Sequence, residues 1–171
     1  MKPRSLRGLL GAALLLAAGP VAGIENRIGI GVHLWTPAGE LRENPLAMDE
    51  NEVTGLVSYQ LVLCRPLKLQ VDLEYFPNGF GGTGIVFVFP QGFIVLGDRW
   101  YLAGGAGWFY STRILGKTSD VVYLARVGTD RPIRPRLHLD VFAERRAPEV
   151  NDLTRLDEDT FSFAAVLRLR L

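Results

Sequence analysis

The stretch Phe161-Ser-Phe-Ala-Ala-Val-Leu-Arg-Leu-Arg-Leu171 decides the fold class. Side chains alternate between the two faces of a strand. One face here reads Phe161, Phe163, Ala165, Leu167, Leu169 and Leu171. The other reads Ser162, Ala164, Val166, Arg168 and Arg170. A strand with one apolar face and one arginine-bearing face suits a barrel with lipid outside and polar residues inside. A half-buried strand of a soluble sheet alternates as well. The choice between them rests on the rest of the chain.

Working outward, the same alternation recurs between turn signals, and no helical periodicity is visible. A first strand is expected at about Arg27–Trp35, with Arg27, Gly29, Gly31, His33 and Trp35 on its inner face. A second runs from about Glu52 to Leu63, and a third from Leu67 to Phe76. The third alternates most cleanly: Leu67, Leu69, Val71, Leu73 and Tyr75 oppose Lys68, Gln70, Asp72, Glu74 and Phe76. A fourth, Gly84–Gly97, is apolar on both faces and contains Pro90, which removes a ladder hydrogen bond. A bulge is expected near Pro90 to Gly92. The fifth spans Trp100 to about Arg113, the sixth Val121 to about Thr129, and the seventh Arg136 to about Arg145. Asp130 to Pro135 reads as a proline-rich turn between the last two.

These elements give an all-β chain, an eight-stranded antiparallel up-and-down transmembrane barrel. Connectors alternate between long and short, as in barrels with short turns at one end and longer loops at the other. Two of the long connectors, Thr36–Asn51 and Ala147–Asp159, are acidic. Tyr75, Trp100, Trp108, Tyr110, Tyr123 and Phe161 fall near strand ends, as interfacial girdles require.

The first 23 residues read as a cleaved signal peptide, leaving the barrel domain at 24–171. Lys2, Arg4 and Arg7 precede the apolar run Leu9–Ala18, and Val21-Ala22-Gly23 offers small residues for cleavage. That run is too short for a spanning helix, which needs about 20 residues. Removing the three positive charges takes the net charge from +1 to −2, so no basic field points to nucleic acid. Lone Cys64 has no internal disulfide partner and reads as a small apolar filler.

On these residues the chain resembles the small eight-stranded outer-membrane β-barrels of Gram-negative bacteria, the OmpA/OmpX type. The signal peptide, the strand Trp100-Tyr-Leu-Ala-Gly-Gly-Ala-Gly-Trp-Phe-Tyr110 and the terminal alternating strand carry the resemblance. It spans essentially the whole mature chain. It implies outer-membrane lipid and lipopolysaccharide as surroundings and the barrel-assembly machinery as the insertion partner. One departure is Leu171, where the family usually ends on an aromatic insertion signal.

Parity sends Lys68, Asp72, Glu74, Arg126, Arg136, His138, Asp140, Glu144, Arg168 and Arg170 into the lumen. An eight-stranded barrel is just wide enough for its own side chains, and buried charges must be paired. The expectation is an interior salt-bridge network. Ion pairs are expected among Asp140, Glu144, Arg168 and Arg170. No catalytic, cofactor or metal site is expected. The expected role is structural, surface-exposed or adhesion-like, without an open pore. A lipid A-modifying enzyme is the first alternative. Lipid A deacylases share the barrel and carry a His-x-Ser-Asn segment, but His138-Leu139-Asp140-Val141 supplies no serine. A soluble lipocalin-like barrel for a small apolar ligand is the second alternative. Arg126, Arg168 and Asp72 would line its pocket poorly. The acidic loops lack calcium-loop spacing.

Overall fold

A computed structural model describes residues 24–35, 53–77, 86–111, 119–154 and 161–171. The segment read as a signal peptide and most of the long connectors, including Glu40, Glu43, Asp49, Glu50 and Asp157–Asp159, lie outside the described residues.

The strands are β1 (Glu25–Leu34), β2 (Val53–Cys64), β3 (Leu67–Phe76), β4 (Phe87–Gly97), β5 (Trp100–Gly107), β6 (Tyr110–Ser111), β7 (Val122–Arg134), β8 (Leu137–Ala147) and β9 (Phe161–Arg170). All pairings are antiparallel; apart from β4–β6 and β5–β7 they join chain neighbours, and β9 returns to β1. Both β5 and β6 pair with β4, so they are two lengths of one stave. The sheet therefore closes as an eight-stranded barrel.

Closure is staggered. One register line runs from Glu25 through Val62, Lys68, Val95, Ala103, Arg126, Glu144 and Ser162. Carried one step past the pair Leu34↔Phe163, Ser162 falls opposite Trp35, just beyond β1 and ten positions after Glu25. This stagger tilts the strands and lets a closed barrel of this size be filled by side chains.

Three short turns, Arg65–Pro66, Asp98–Arg99 and Pro135–Arg136, share one end with Ile24 and Leu171. We call this the turn end, and the opposite one the loop end. At the turn end each turn is tied to a neighbouring strand. Pro66 O accepts from Gly97 N at 2.8 Å, Arg99 O from Asp130 N at 2.9 Å, and Arg136 O from Arg170 N at 2.8 Å. Gly97 has φ +130°, a conformation glycine adopts without a Cβ penalty, and there the chain reverses into Asp98–Arg99.

Burial follows strand parity. Ile28, Ile30, Ile94, Leu96, Trp100, Leu102, Val127, Leu139, Val141, Leu167 and Leu169 are exposed outward. Inward rows hold Phe89, Phe93, Val95, Tyr101, Leu124, Phe142 and Val166, together with the buried charges. Gly29 and Gly128 face bulky neighbours. A Cβ on Gly29 would meet Arg168 Cγ at 2.7 Å, and one on Gly128 would meet the Tyr101 ring at 2.6 Å. Glycine at these points makes room for the side chains that cross the lumen.

The structure departs from the sequence reading in four places. First, β4 has no bulge. Its register with β3 is unbroken from Leu67↔Leu96 to Phe76↔Phe87. The effect of Pro90 falls on the neighbouring stave. Trp108 N donates to Pro90 O at 3.3 Å, so these two face each other as a hydrogen-bonded pair. The reciprocal bond needs a Pro90 N–H that does not exist. Regular pairing lapses there, at Trp108–Phe109, and resumes at Tyr110 in the same register. Pro90→Val should restore that donor, raising stability by about 1 kcal/mol. A higher midpoint in urea unfolding from lipid vesicles would show it, and an unchanged midpoint would refute this account of the break.

Second, Asp130–Arg134 is not a turn. It extends β7, with a register shift between Pro132 and Arg134 that absorbs the proline. Third, Ala147 ends β8 instead of opening a loop, and a short 3₁₀ helix follows at Val150–Thr154. Fourth, Cys64 is exposed rather than a buried filler. Among the described residues no helix is long and apolar enough to cross a membrane, which does not bear on crossing by strands.

Candidate functional site

Parity brings a column of charged and amide side chains into the lumen, and tilt brings distant strands within reach of one another. The column has three levels.

At the turn end Asp130 is the hub. Its Oδ2 accepts from Arg27 Nη1 at 2.6 Å and from Lys68 Nζ at 2.9 Å, and its Oδ1 lies 3.0 Å from His138 Nδ1. Arg27 Nε also donates to Glu25 at 2.6 Å.

At mid-barrel Arg126 bridges two carboxylates, donating through Nη1 to Asp72 and through Nε to Glu144. Its Nη2 reaches Gln91 Oε1 at 3.1 Å. The guanidinium lies between two rings, 3.6 Å from the centroid of Phe93 and 4.2 Å from that of Phe142. Desolvated cation–π stacking of this kind adds attraction beyond the ion pairs. Beside it, Arg168 pairs with Asp140, whose other oxygen accepts from Tyr101 Oη at 2.7 Å. Gln70 Nε2 caps Asp72 at 2.9 Å.

At the loop end Glu74 is the hub. It accepts from Thr54 Oγ1, from Trp35 Nε1 at 2.8 Å, from Gln91 Nε2 at 2.9 Å and from Arg146 Nη2 at 2.6 Å. His33 Nδ1 stands 3.0 Å from it. Arg146 also pairs with Glu144 and stacks on Trp35, 3.9 Å from the ring centroid. Above this level Phe76, Phe87, Phe89 and Phe109 form an aromatic cluster, with Phe89 and Phe109 stacked at 4.1 Å.

Of the residues expected in the lumen, Lys68, Asp72, Glu74, Arg126, Asp140, Glu144 and Arg168 are buried there, and His138 is half-buried. Two are not. Arg136 sits in the Pro135–Arg136 turn and is exposed, because β8 starts one residue later than expected. Arg170 is 51% exposed at the turn-end rim, 3.3 Å from Glu25. The expected quartet therefore divides. Arg168 holds Asp140, Glu144 is held by Arg126 and Arg146, and Arg170 turns to Glu25.

Sequence reasoning missed Asp130 and Arg146 as members and did not count Arg27 and His33. Asp130 was hidden by the assumption that Pro132 ends the strand. Arg146 lies one residue beyond the expected end of its strand, on the same parity as Glu144. Arg27 and His33 share their inner row with Gly29 and Gly31, and that parity was the available signal.

One substructure has catalytic connectivity. Ser162 Oγ lies 2.8 Å from His33 Nε2, and His33 Nδ1 faces Glu74. A serine, a histidine and an orienting carboxylate in this order match the arrangement of a nucleophilic relay. Here, however, Ser162 is buried, its Oγ lies 3.3 Å from Glu144 O, and Glu74 is shared among several donors. Among the described residues no group of three His, Cys, Asp or Glu side chains is placed to hold a metal ion.

No protein-family model matches the chain, and no curated protein sequence matches it. Solved structures do match its shape. Neisserial surface protein A is similar with a TM-score of 0.54 at 12% identity, over 90% of this chain and all of that one. The N-terminal β-barrel domain of Pseudomonas aeruginosa OprF is similar with a TM-score of 0.53 at 7% identity, over 86% of this chain and 97% of that one. At such identities the likeness is one of fold: the chain has the closed eight-stranded architecture of the OmpA/OmpX-type outer-membrane barrels.

Proposed function

We propose that the protein is an integral outer-membrane barrel with a structural, surface-exposed or adhesion-like role, and that it neither conducts nor catalyses. Its surroundings are outer-membrane lipid and lipopolysaccharide. Its delivery runs through a signal peptide and the barrel-assembly machinery. One observation carries the reading: between the two barrel ends the outward rows are predominantly apolar, while the lumen is filled by paired charges and aromatic rings. Arg168, Phe142, Leu124 and Glu144 are each at most 2% exposed. Among the described residues the lumen is thus packed with side chains, as expected of an eight-stranded barrel and not of a porin.

The alignment of Ser162, His33 and Glu74 supports a second reading, the lipid A-modifying enzyme. Two assays on the purified protein address them in turn. Purified protein in planar bilayers should show no stable single-channel steps, and its Ser162 should not be labelled by a fluorophosphonate. Stable conductance would overturn the closed-lumen reading. Labelling lost in Ser162→Ala, together with release of fatty acid from lipid A, would establish the enzyme.

A further inference from the structure

The turn end carries arginines that are scattered along the chain and gathered by the topology. Arg65, Arg99, Arg131, Arg134, Arg136 and Arg170 are all exposed there. Each of the three short turns contributes one, so they ring the circumference. Among the described residues, no carboxylate is within ion-pair distance of Arg65, Arg99, Arg131, Arg134 or Arg136. The acidic groups at that end are otherwise committed or few. Asp130 is buried under Arg27 and Lys68, Glu25 is held by Arg27 and Arg170, and Asp98 is exposed beside Arg99.

The ring borders the apolar band. Leu63, Leu96, Trp100, Ile133, Leu169 and Leu171 are exposed apolar residues near the turns. Arg131 lies in the outward row itself, with its guanidinium 6.0 Å from the centroid of the Trp100 ring. The two barrel ends differ. Tyr75, Trp108, Tyr110, Tyr123 and Phe161 belong to the loop end, and of the aromatics expected at strand ends only Trp100 belongs to the turn end. Where a membrane barrel ordinarily carries an aromatic girdle, this one carries guanidinium groups. The backbones of Arg99, Arg136 and Arg170 are pinned by the turn carbonyl bonds.

We infer that the turn-end arginine ring is a binding surface for the phosphate groups of anionic phospholipids in the leaflet it meets. The ring stands where hydrocarbon gives way to headgroups. A guanidinium binds a phosphate through two parallel N–H groups, which ammonium does not. An arginine stem can lie along apolar surface while its guanidinium reaches the headgroups. This inference rests on the membrane-barrel reading.

The test uses the full mature chain carrying Trp108→Phe, which leaves Trp100 as the outward-facing tryptophan, since Trp35 packs inside against Phe76 and Arg146. The protein is folded into phosphatidylcholine vesicles holding a small fraction of either brominated phosphatidylglycerol or brominated phosphatidylcholine. Brominated phosphatidylglycerol should quench Trp100 with roughly fivefold enrichment over its mole fraction, since one arginine near an anionic surface is worth about that factor. The enrichment should shrink in high salt. It should vanish in the combined variant Arg99→Gln, Arg131→Gln, Arg134→Gln, Arg136→Gln, and free inorganic phosphate at equal concentration should not abolish it. Equal quenching by both lipids overturns the inference while leaving the barrel reading intact. Quenching by neither lipid overturns the barrel reading itself. If the combined variant does not fold, retention of phosphatidylglycerol over phosphatidylcholine on the wild-type chain in native mass spectrometry decides, and no preference overturns the inference.

Discussion

Arg126→Leu is expected to destabilise the folded barrel by about 3–5 kcal/mol, the cost of breaking a buried ion pair by removing one partner. Arg126 is 3% exposed and joins β7 to β3, β4 and β8 through Asp72, Gln91 and Glu144. Without it, among the described residues, Asp72 keeps the Gln70 amide as its hydrogen-bond donor, and Glu144 keeps the ion pair with Arg146. Asp72 is therefore the group left short. Adding Asp72→Asn to Arg126→Leu should recover part of the loss, because the uncompensated charge is gone. Arg126→Lys should fall between, since one ammonium cannot span both carboxylates or fill the gap between Phe93 and Phe142. Urea unfolding from lipid vesicles, followed by tryptophan fluorescence, measures all three. A loss below about 0.5 kcal/mol, the usual size of a surface change, would mean that Arg126 does not bridge those carboxylates in the folded protein.

Leu167→Arg should cost about 2–4 kcal/mol, the penalty for a cation on the lipid face near the midplane. Leu167 lies between Ile30 on β1 and Leu139 on β8, and all three are exposed outward. No neutralisation of Asp140 or Glu144 should rescue it, because those carboxylates lie on the other face of the sheet. The contrast with Arg126 is the informative part. A defect in the lumen is relieved by removing the partner charge, whereas a defect on the lipid face is not. If Leu167→Arg is harmless in vesicles, water and not lipid covers that row.

Much of this was legible because period-two alternation is a strong signal when one face meets lipid. Strand β3, Leu67–Phe76, was read to the residue, since Lys68, Gln70, Asp72 and Glu74 alternate with apolar neighbours without exception. What parity conveys is direction, and it carries no information about depth. Arg168 and Arg170 share a parity, yet one is enclosed and the other is at the rim, because Arg170 is the last residue of β9 and Arg168 lies two positions deeper. Proline misled twice for one reason. Its missing N–H matters only if the ladder needs a donor at that point. At Pro132 a register shift absorbs the defect, and at Pro90 the loss appears in the neighbouring stave. Pair identities were beyond reach, because the ten-position stagger decides which levels of β3, β7 and β8 meet across the lumen. The stacking of Arg126 on Phe93 and Phe142 follows from that stagger and from no local pattern.

Subcellular fractionation of cells expressing the full chain tests the central claim most directly. The chain should be recovered with the outer membrane, without the first 23 residues, and give a β-sheet circular dichroism spectrum in detergent. Recovery from the periplasm as a soluble monomer without detergent would contradict it.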